Sequence, residues 1–362
     1  MAKLTDICSP KQWKTIGTSE LSEVGYPVYG ANGIIGYYTE FNHEYSTLLI
    51  TCRGATCGEI NISVPKSYIN GNAMCLDNLS EEYDLQFLYH YLKWFNFDTV
   101  ITGSAQPQIT ISGLSKVNVP DLSVIQQRKI AATLDKVTYL IDLCNAILEK
   151  LDLLVKSRFV EMFGDIIRNT KQWDTQVFDE ITSSRLGKML DAKKQTGTSS
   201  YPYLANFNVQ WFRFELDNLN SMDFDDKDQK EFELEDGDLL VCEGGEIGRC
   251  AIWHNDIQPC FFQKALHRVR CDKGVILPVY LAWWFKYNCE HNGFSEIEGA
   301  KATIAHLPGA KLKKLNVTVP PLILQQQFAA FVEQTDKSKL AVKQVLEKAE
   351  TLKKALMQEY FG

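Results

Sequence analysis

The sequence predicts an α+β protein with two similar mixed α/β domains and two long helices that form an antiparallel coiled coil with pseudo-twofold symmetry. Three observations lead to this prediction. A 38-residue segment occurs twice, each copy lacks glycine and proline except for its final glycine, and each copy follows a region of short strand-like runs. A chain that contains two copies of one long segment is typically built as two halves.

The repeated segment covers Gln127–Gly164 and returns 198 residues later as Gln325–Gly362. Eleven of the 38 aligned positions are identical without a gap, among them the glutamine that opens each copy and the Phe-Gly pair that closes it. Agreement at both ends of a gapless alignment indicates a true duplication rather than two unrelated helices.

Residues 1–120 are predicted to form the first domain. Its strand-like runs include Ser46–Thr51 and Glu59–Val64, with glycine and asparagine at the turns. The segment Leu85–Phe95 is apolar on nearly all sides, which predicts a helix packed against a sheet.

Residues 121–164 are predicted to form the first long helix. Apolar residues recur at alternating steps of four and three, which is the heptad seam of a helix that lies along another helix. The seam consists of Ile130, Leu134, Val137, Ile141, Cys144, Leu148, Leu151, Val155 and Met162, with Arg158 out of place. Asp121 or Ser123 is expected to cap the start of the helix, and Gly164 to end it.

Residues 165–318 are predicted to form the second domain, and residues 319–362 the second long helix. Leu49–Gly58 aligns with Leu239–Gly248, and Val117–Pro120 with Val317–Pro320. The acidic segment 223–235 is interpreted as a solvated face. Because the order is domain, helix, domain, helix, the second helix must return to the first domain if the halves are related by a twofold, so the helices are expected to be antiparallel.

Bulk composition is that of an ordinary globular protein. The chain has 362 residues, 45% hydrophobic and 23% charged, with a net charge of −7. No apolar run is long enough to cross a membrane and no signal peptide is evident, so a cytoplasmic location is expected. The ten cysteines contain no Cys-x-x-Cys pair, which favours free thiols over disulfides or a metal site. A net charge of −7 indicates no overall basic surface for nucleic acid, so any contact with DNA would require local basic patches or a basic partner protein.

Common catalytic motifs are missing from the sequence. It contains no Walker loop, His-Glu-x-x-His, Gly-x-Ser-x-Gly or dinucleotide-binding glycine motif. Val319-Pro320-Pro321-Leu322 lacks the Asn or Asp that an adenine methyltransferase places before two prolines. We therefore expect a protein that is not an enzyme and that has no cofactor or metal of its own.

The order of motifs resembles the specificity (S) subunit of type I restriction-modification systems. Each half contains a globular region, a Val-x-Val-Pro strand, a glutamine-rich start and a long helix that ends in Phe-Gly. The segments Cys52–Gly58 and Thr102–Ile109 resemble parts of that family's target-recognition domains. Each short motif is only moderately specific, whereas their ordered duplication over the whole chain is highly specific.

This resemblance implies a non-catalytic DNA-binding subunit of a restriction system. Each target-recognition domain would read one half of a bipartite, asymmetric sequence in double-stranded DNA. The coiled coil would set the spacing and dock methyltransferase (M) subunits, with restriction/translocase (R) subunits as further candidate partners. S-adenosylmethionine, ATP and Mg²⁺ are implied only for those partners.

Base edges are read mainly by Arg, Lys, Asn and Gln in the major groove. In the first domain the candidates are Arg53, Gln106 and Gln108, with Tyr29 and Asn32 as weaker choices on a glycine-rich loop. The alternatives are an ordinary polar turn for the two glutamines and a salt bridge to Glu59 for Arg53.

In the second domain, Glu243 aligns with Arg53 and would accept a hydrogen bond from cytosine instead of donating to guanine. The other candidates for base or phosphate contacts are Lys188, Lys193, Lys194, Gln263, Lys264, His267, Arg268, Lys301 and Thr303. An exposed lysine is more often only a solvated charge, and a scaffold that binds two proteins or an enzyme with two active sites remain as alternatives.

Overall fold

The computed structural model describes residues 1–30, 32–103, 106–191, 195–295 and 306–362. The chain forms two compact units. Unit 1 comprises Met1–Ile147 and Val342–Gly362, and unit 2 comprises Leu148–Ala341. Each unit thus contains part of both long helices. The predicted domain boundaries at residues 120, 164 and 318 instead separate the long helices from the globular regions. These boundaries stay predictions.

Unit 1 contains two sheets and a short strand pair. An antiparallel sheet has the order β2-β8-β5-β6, a second sheet has the order β4-β3-β7 with β3 and β7 parallel, and β1 pairs with β9. The strands are β1 (Ala2–Lys3), β2 (Ser9–Gln12), β3 (Tyr26–Gly30), β4 (Gly33–Tyr38), β5 (Leu48–Thr51), β6 (Ile60–Ile62), β7 (Tyr68–Ile69), β8 (Ala73–Asp77) and β9 (Asn118–Val119).

Unit 2 repeats these strand orders. Its sheets have the orders β11-β19-β16-β17 and β15-β12-β18, β12 and β18 are parallel, and β10 pairs with β20. The strands are β10 (Asp174–Val177), β11 (Thr182–Leu186), β12 (Ser200–Leu204), β13 (Val209–Gln210), β14 (Arg213–Phe214), β15 (Asn220–Asp223), β16 (Leu239–Cys242), β17 (Cys250–Ile252), β18 (Phe261–Phe262), β19 (Leu266–Cys271) and β20 (Asn316–Val319). The duplication therefore extends to the globular parts.

Two 40-residue helices dominate the helical content. The α-helices are α1 (Leu4–Ile7), α2 (Leu85–Trp94), α3 (Ile111–Leu114), α4 (Val124–Phe163), α5 (Phe178–Ile181), α6 (Asp226–Phe232), α7 (Pro278–Glu290), α8 (Gly309–Leu312) and α9 (Leu322–Phe361). We refer to α4 as the first long helix and to α9 as the second.

The first long helix begins and ends as its sequence predicts. Ser123 caps the start, because its hydroxyl accepts from the Gln126 N–H (3.4 Å) and the Gln126 side chain accepts from the Ser123 N–H (3.2 Å), which is a capping box. Gly164 ends the helix with φ +74°. All predicted seam positions are buried or half-buried. Arg158 fits the seam because its guanidinium lies 5.8 Å from the Phe331 ring.

Within each unit, the start of one long helix packs near the end of the other. In the core of unit 1, Leu134 near the start of the first long helix is buried with Phe361 at the end of the second. In unit 2, the Phe163 ring at the end of the first lies 5.4 Å from Phe328 near the start of the second. The helices are therefore antiparallel, and the predicted fold class is confirmed.

The closing phenylalanine of each long helix packs onto a globular helix. In unit 1, the Phe361 ring centroid lies 5.6 Å from that of Phe87 and 5.4 Å from that of Tyr91, both in α2. In unit 2, Phe163 lies 4.9 Å from Tyr280 of α7. The repeated Phe-Gly pair thus anchors each helix end in an apolar core.

A buried glutamine ties the start of each long helix to the same globular helix. In unit 1, Gln127 is fully buried; its Oε1 accepts from the Asp84 N–H (2.8 Å), and its Nε2 donates to the carbonyls of Glu82 (2.9 Å) and Leu122 (2.8 Å). One side chain therefore satisfies three backbone groups between the Val-Pro strand and α2.

Gln325 makes the same three bonds in unit 2. Its Oε1 accepts from the Leu277 N–H (2.8 Å), and its Nε2 donates to the carbonyls of Val275 (3.0 Å) and Pro320 (2.8 Å). The first identical residue of the repeat is thus retained together with its complete hydrogen-bond pattern.

Replacement of Gln127 by alanine is expected to destabilise the protein by about 2 to 4 kcal/mol, because it leaves three backbone groups without a partner. Urea unfolding monitored by circular dichroism measures the change. The matched control is Gln326→Ala on the exposed face of the second long helix, where less than about 0.5 kcal/mol is expected. Equal stabilities of the two variants would contradict the assigned role.

Candidate nucleic-acid interface

In unit 1, two loops that are distant in the sequence form one surface. Loop A comprises residues 52–58 and loop B residues 102–109, of which 104 and 105 lie outside the described residues. The Ile109 N–H donates to the Cys52 carbonyl (3.0 Å), and the Gly54 N–H donates to the Pro107 carbonyl (3.2 Å). These two main-chain hydrogen bonds hold loop B on loop A without using the side chains of Arg53, Gln106 or Gln108.

Arg53, Gln108 and Thr102 form a row across these loops. Gln108 is paired in antiparallel bridges with Arg53 on one side and with Thr102 on the other. Side chains of directly opposed residues in such bridges lie on the same face, about 5 Å apart at Cβ. All three residues are exposed. We call them the unit 1 row.

The Arg53 and Gln108 side chains of the unit 1 row are available to a ligand, whereas the Thr102 hydroxyl donates to the Gln108 carbonyl (3.4 Å). Among the described residues, the Arg53 guanidinium and the Gln108 amide make no hydrogen bond or ion pair. The alternative partner predicted for Arg53, Glu59, lies 3.5 Å from the Lys93 amine instead. The predicted reader Gln106 is also exposed, at the tip of loop B.

Loop B depends on a glycine at its tight turn. Gly103 has φ +89°, and a Cβ at this position would lie 2.5 Å from the Gln106 carbonyl oxygen. Any other residue would therefore push the backbone of Gln106 away, and the position of Gln106 on the surface is tied to this turn.

The two weaker candidates of the first domain differ in their placement. The Asn32 side chain accepts a hydrogen bond from the Thr56 hydroxyl (2.6 Å) in loop A, so it lies beside the row. Tyr29 lies in β3 rather than on the predicted loop, is 6% exposed, and accepts from the Val64 N–H (3.1 Å) through its hydroxyl. Tyr29 is a core residue in this structure.

The backbone pairing in unit 2 corrects the predicted equivalence of Arg53 and Glu243. Gly244, not Glu243, is bridged to His306, as Arg53 is bridged to Gln108. The Leu307 N–H donates to the Glu243 carbonyl (2.6 Å), as the Ile109 N–H donates to the Cys52 carbonyl. Glu243 therefore corresponds to Cys52.

A one-residue difference in loop length explains this error. Gly54 (φ +90°) and Gly58 (φ +98°) bracket three residues in unit 1, whereas Gly245 (φ +83°) and Gly248 (φ +76°) bracket two in unit 2. A gapless alignment that matches the second glycine of each pair is consequently shifted by one residue before it.

Glu243 itself is held inside unit 2 between two histidines. It is 7% exposed, and its carboxylate oxygens lie 4.0 Å from His267 Nε2 and 3.9 Å from His306 Nε2. His267 is 1% exposed and its Nε2 lies 3.3 Å from the Leu307 carbonyl. Burial lowers the pKa of His267, against the opposing effect of the Glu243 carboxylate.

Several basic candidates of the second domain are already paired within the chain. The Lys188 amine contacts the Asp228 carboxylate and the Asp223 carbonyl. Arg268 donates to the carbonyls of Glu231 (3.0 Å) and Glu233 (3.1 Å). The acidic segment 223–235, predicted as a solvated face, thus binds the cations that were expected to contact phosphate.

The remaining candidates divide into two groups. Lys264 is exposed and Gln263 half-exposed, and neither side chain has a hydrogen-bond partner among the described residues. The other predicted residues, Lys193, Lys194, Lys301 and Thr303, lie outside the described residues.

His306 and Thr102 were missed from the sequence. The His306 side chain is 54% exposed, and its bridge to Gly244 gives it the position that Gln108 has in unit 1. The repeat offset of 198 residues pairs Gln108 with His306 and was the available signal. The loop therefore carries Arg53 beside Gln108 in unit 1 and a bare glycine beside His306 in unit 2.

Comparison with protein-family models identifies both halves. The model of the type I restriction modification DNA specificity domain matches residues 1–153 and again residues 171–351. The chain belongs to this family. It is a type I specificity subunit with two specificity domains, and DNA sequence recognition is consistent with its exposed loops.

Known relatives and solved structures agree with this assignment. The subunit is 25% identical over 316 residues to a putative type I restriction enzyme specificity subunit of Haemophilus influenzae, covering 85% of this chain and 79% of the relative. It is 32% identical over 111 residues to the EcoprrI specificity subunit of Escherichia coli, covering 31% of this chain and 27% of that one.

The fold is similar to that of an S subunit from M. genitalium, with a TM-score of 0.68, 16% identity and coverage of 99% and 95% of the two chains. A structure reported for the assembly and conformational transition of a type I system has a TM-score of 0.55, 14% identity and coverage of 99% and 96%. None of the described helices is long and apolar enough to cross a membrane.

Acidification is expected to destabilise the specificity subunit through His267. Its folded pKa is lowered by burial, so below about pH 6.5 the unfolded chain binds a proton that the folded chain excludes. Stability is therefore retained above this pH and falls by up to about 1.4 kcal/mol per pH unit below it.

In His267→Asn, urea unfolding between pH 7 and 5 should show a smaller loss of stability than in wild type. His254→Asn, at an exposed site, should retain the wild-type loss, and identical slopes for all three proteins would contradict this.

Proposed function

We propose that this subunit reads a bipartite, asymmetric sequence in double-stranded DNA for a methyltransferase complex. Each unit recognises one half of the target, and the two long helices set the spacing and dock methyltransferase subunits. The observation that carries the proposal is the unit 1 row, where Arg53 and Gln108 lie side by side on a backbone ladder with donors that no described residue binds.

The chemistry of the row suits base edges in a major groove. A guanidinium donates two hydrogen bonds to guanine O6 and N7, and a glutamine amide pairs with adenine N6 and N7. Neighbouring side chains about 5 Å apart can address adjacent base pairs, which are stacked at about 3.4 Å. Gln106 and Asn32 at the edge of the row supply further amides for bases or phosphates.

An asymmetric target follows from the different chemistry of the two units. Unit 2 places His306 opposite Gly244, where no side chain competes for space, and the fold brings Gln263 and Lys264 close, because the Glu243 N–H donates to the Ala265 carbonyl (2.8 Å). Lys193, Lys194, Lys301 and Thr303 remain candidate contacts of this unit. Lys188, Arg268, Glu243 and His267 support the loops from within rather than contact DNA.

Docking of partner subunits is supported by apolar side chains on the long helices. Tyr139 is 68% exposed, Leu153 61% and Leu154 48% on the first helix, and Ile323 60% and Leu340 59% on the second. Tyr139 and Leu143 (41% exposed) lie one turn apart on the first helix, and it is such contiguous apolar surface that typically marks a protein-protein interface. The net charge of −7 adds to this argument, because partners would supply the phosphate contacts that dominate affinity for DNA.

Catalysis is assigned to the partners. Methyltransferase subunits would supply S-adenosylmethionine chemistry, and restriction/translocase subunits, where present, would use ATP and Mg²⁺. The specificity subunit acts with them in the cytoplasm and has no catalytic residue in this proposal. Methylation of DNA by the isolated chain would contradict this assignment.

Replacement of Arg53 by alanine in the reconstituted complex should relax one base pair of one half-site. We expect methylation of the cognate sequence to fall roughly 5- to 150-fold, because a bidentate base contact contributes about 1 to 3 kcal/mol. Sequencing of methylated adenines in a random DNA library measures the rate and the relaxed position together.

The matched control is Lys66→Ala, which removes a positive charge whose side chain is 56% exposed elsewhere in unit 1. It should leave the consensus sequence unchanged. If Arg53→Ala lowers methylation of all sequences equally, Arg53 contacts phosphate and the proposed base contact is wrong.

Removal of one heptad from both long helices should shorten the gap between the half-sites by about three base pairs. Deletion of Asp142–Leu148 and of the repeat-equivalent Leu340–Leu346 keeps each apolar seam in phase. Seven residues span about 10.5 Å of helix, and a base pair spans about 3.4 Å. The methylated consensus of a folded double-deletion complex provides the measurement, and an unchanged gap would show that the helices do not set the spacing.

A further inference from the structure

One cluster in unit 1 has no place in the proposed function. Within the described part of the chain, His43, Cys75 and Asp77 form the single group of three His, Cys, Asp or Glu residues whose ligand atoms all lie within 4.8 Å of one another. The sequence favours free thiols over a metal site because it contains no Cys-x-x-Cys pair, and His43 lies far from Cys75 and Asp77 along the chain. The fold removes this separation.

Strand β8 places two of the three residues on the same side. Cys75 and Asp77 are two residues apart in a regular strand, so their side chains lie on one face of the sheet. The segment that carries His43 is bridged to Ser67, next to β7 of the other sheet, and its His43 side chain reaches Asp77 of β8. The His43 and Asp77 side chains are only 10% and 13% exposed.

The hydrogen bonds of Asn42 determine which nitrogen of His43 carries a proton. The Asn42 Oδ1 accepts from the Ile69 N–H (2.7 Å) and its Nδ2 donates to the Ile69 carbonyl (3.0 Å), so the amide cannot be turned round. The same Oδ1 lies 2.7 Å from His43 Nδ1. Nδ1 must therefore be the protonated nitrogen, and the lone pair of the neutral ring is at Nε2.

This assignment places two electron-rich atoms against each other. His43 Nε2 lies 2.9 Å from Asp77 Oδ1, while the Trp13 indole N–H donates to Asp77 Oδ2 (3.0 Å). A positive charge must therefore lie between Nε2 and Oδ1, supplied either by a proton or by a metal ion. Asn42 and Trp13 are bonded to the outer atoms of both side chains, as partners of metal ligands commonly are.

The third residue favours the metal. Cys75 is fully buried, and its sulfur has no hydrogen-bond partner among the described residues. A cavity of about 640 Å³ reaches the cluster from the side of His43 and Asp77, which line it together with Trp13 and Lys11, whereas Cys75 lies behind them. An imidazole, a thiolate and a carboxylate are the donors that Zn²⁺ prefers, and the two anionic ligands would neutralise its charge.

The geometry points to a zinc site formed by His43, Cys75 and Asp77, with a fourth position open to the cavity. Ligand atoms of a tetrahedral zinc ion lie about 3.3 to 3.8 Å apart, so small side-chain movements bring all three to bonding distance. The ion would connect the segment around His43 to strand β8 and so stabilise the sheet that contains β8. None of its three ligands belongs to loop A or loop B.

Cobalt titration tests the site. The full-length chain, treated with chelator and desalted, should bind one Co²⁺ and show tetrahedral d–d absorption together with a thiolate-to-cobalt charge-transfer band, and equimolar Zn²⁺ should remove both. Cys75→Ser should abolish the charge-transfer band, and His43→Asn should weaken binding by more than about tenfold.

Two controls separate this site from adventitious binding. Cys260→Ser removes another buried thiol, and His90→Asn breaks a comparable pair in which His90 Nε2 lies 2.7 Å from Asp135 Oδ1. Both should retain the full spectrum. A charge-transfer band that persists in Cys75→Ser, or binding that is unchanged in His43→Asn, would overturn the proposal.

A milder variant covers the case in which ligand substitutions prevent folding. Trp13→Phe keeps all three ligands and an aromatic ring beside His43, and it removes the N–H that orients Asp77. Its affinity for Co²⁺ should fall about 10- to 100-fold without loss of the charge-transfer band. If neither wild type nor Trp13→Phe shows a charge-transfer band with Co²⁺, a proton and not a metal lies between His43 and Asp77, and the proposal is overturned.

Discussion

The architecture depends on one buried glutamine in each half. Gln127 and Gln325 each satisfy three backbone groups where the Val-Pro strand, the globular helix and the long helix meet. A glutamine amide supplies an acceptor and two donors in a fixed plane, so it defines the direction of the helix as well as its attachment. Because the geometry of both starts is the same, an antiparallel pair of helices of equal length is the natural result of the duplication.

Much of the fold could be predicted because its signals are local. The heptad seam, the absence of glycine and proline, and the cap at Ser123 all lie within a few residues of the features that they determine. The apolar helices α2 and α7 could be found from composition in the same way. Even Arg158, an apparent exception, follows the seam once its long side chain lies against Phe331.

The candidate interface was harder to predict from the sequence, because it depends on pairing between segments that are distant along the chain. Arg53 and Gln108 were chosen for their chemistry, but only the bridge between the two loops shows that they are neighbours. The loop of unit 2 is one residue shorter than loop A, so the gapless alignment placed Glu243 on the surface, whereas it is buried in the structure. Lys188 and Arg268 have the side-chain chemistry of phosphate ligands. The acidic segment that binds them is about 40 residues away in the sequence, so this pairing could not be predicted.

The backbone ladder between loops A and B has a consequence for how such a protein can change. The two hydrogen bonds that join the loops involve main-chain atoms of Cys52, Gly54, Pro107 and Ile109, and neither uses the side chain at position 53, 106 or 108. Substitutions at positions 53, 106 and 108 therefore alter the chemistry of the surface with little effect on folding. A new sequence preference can arise in one unit by single substitutions while the other unit remains as it was.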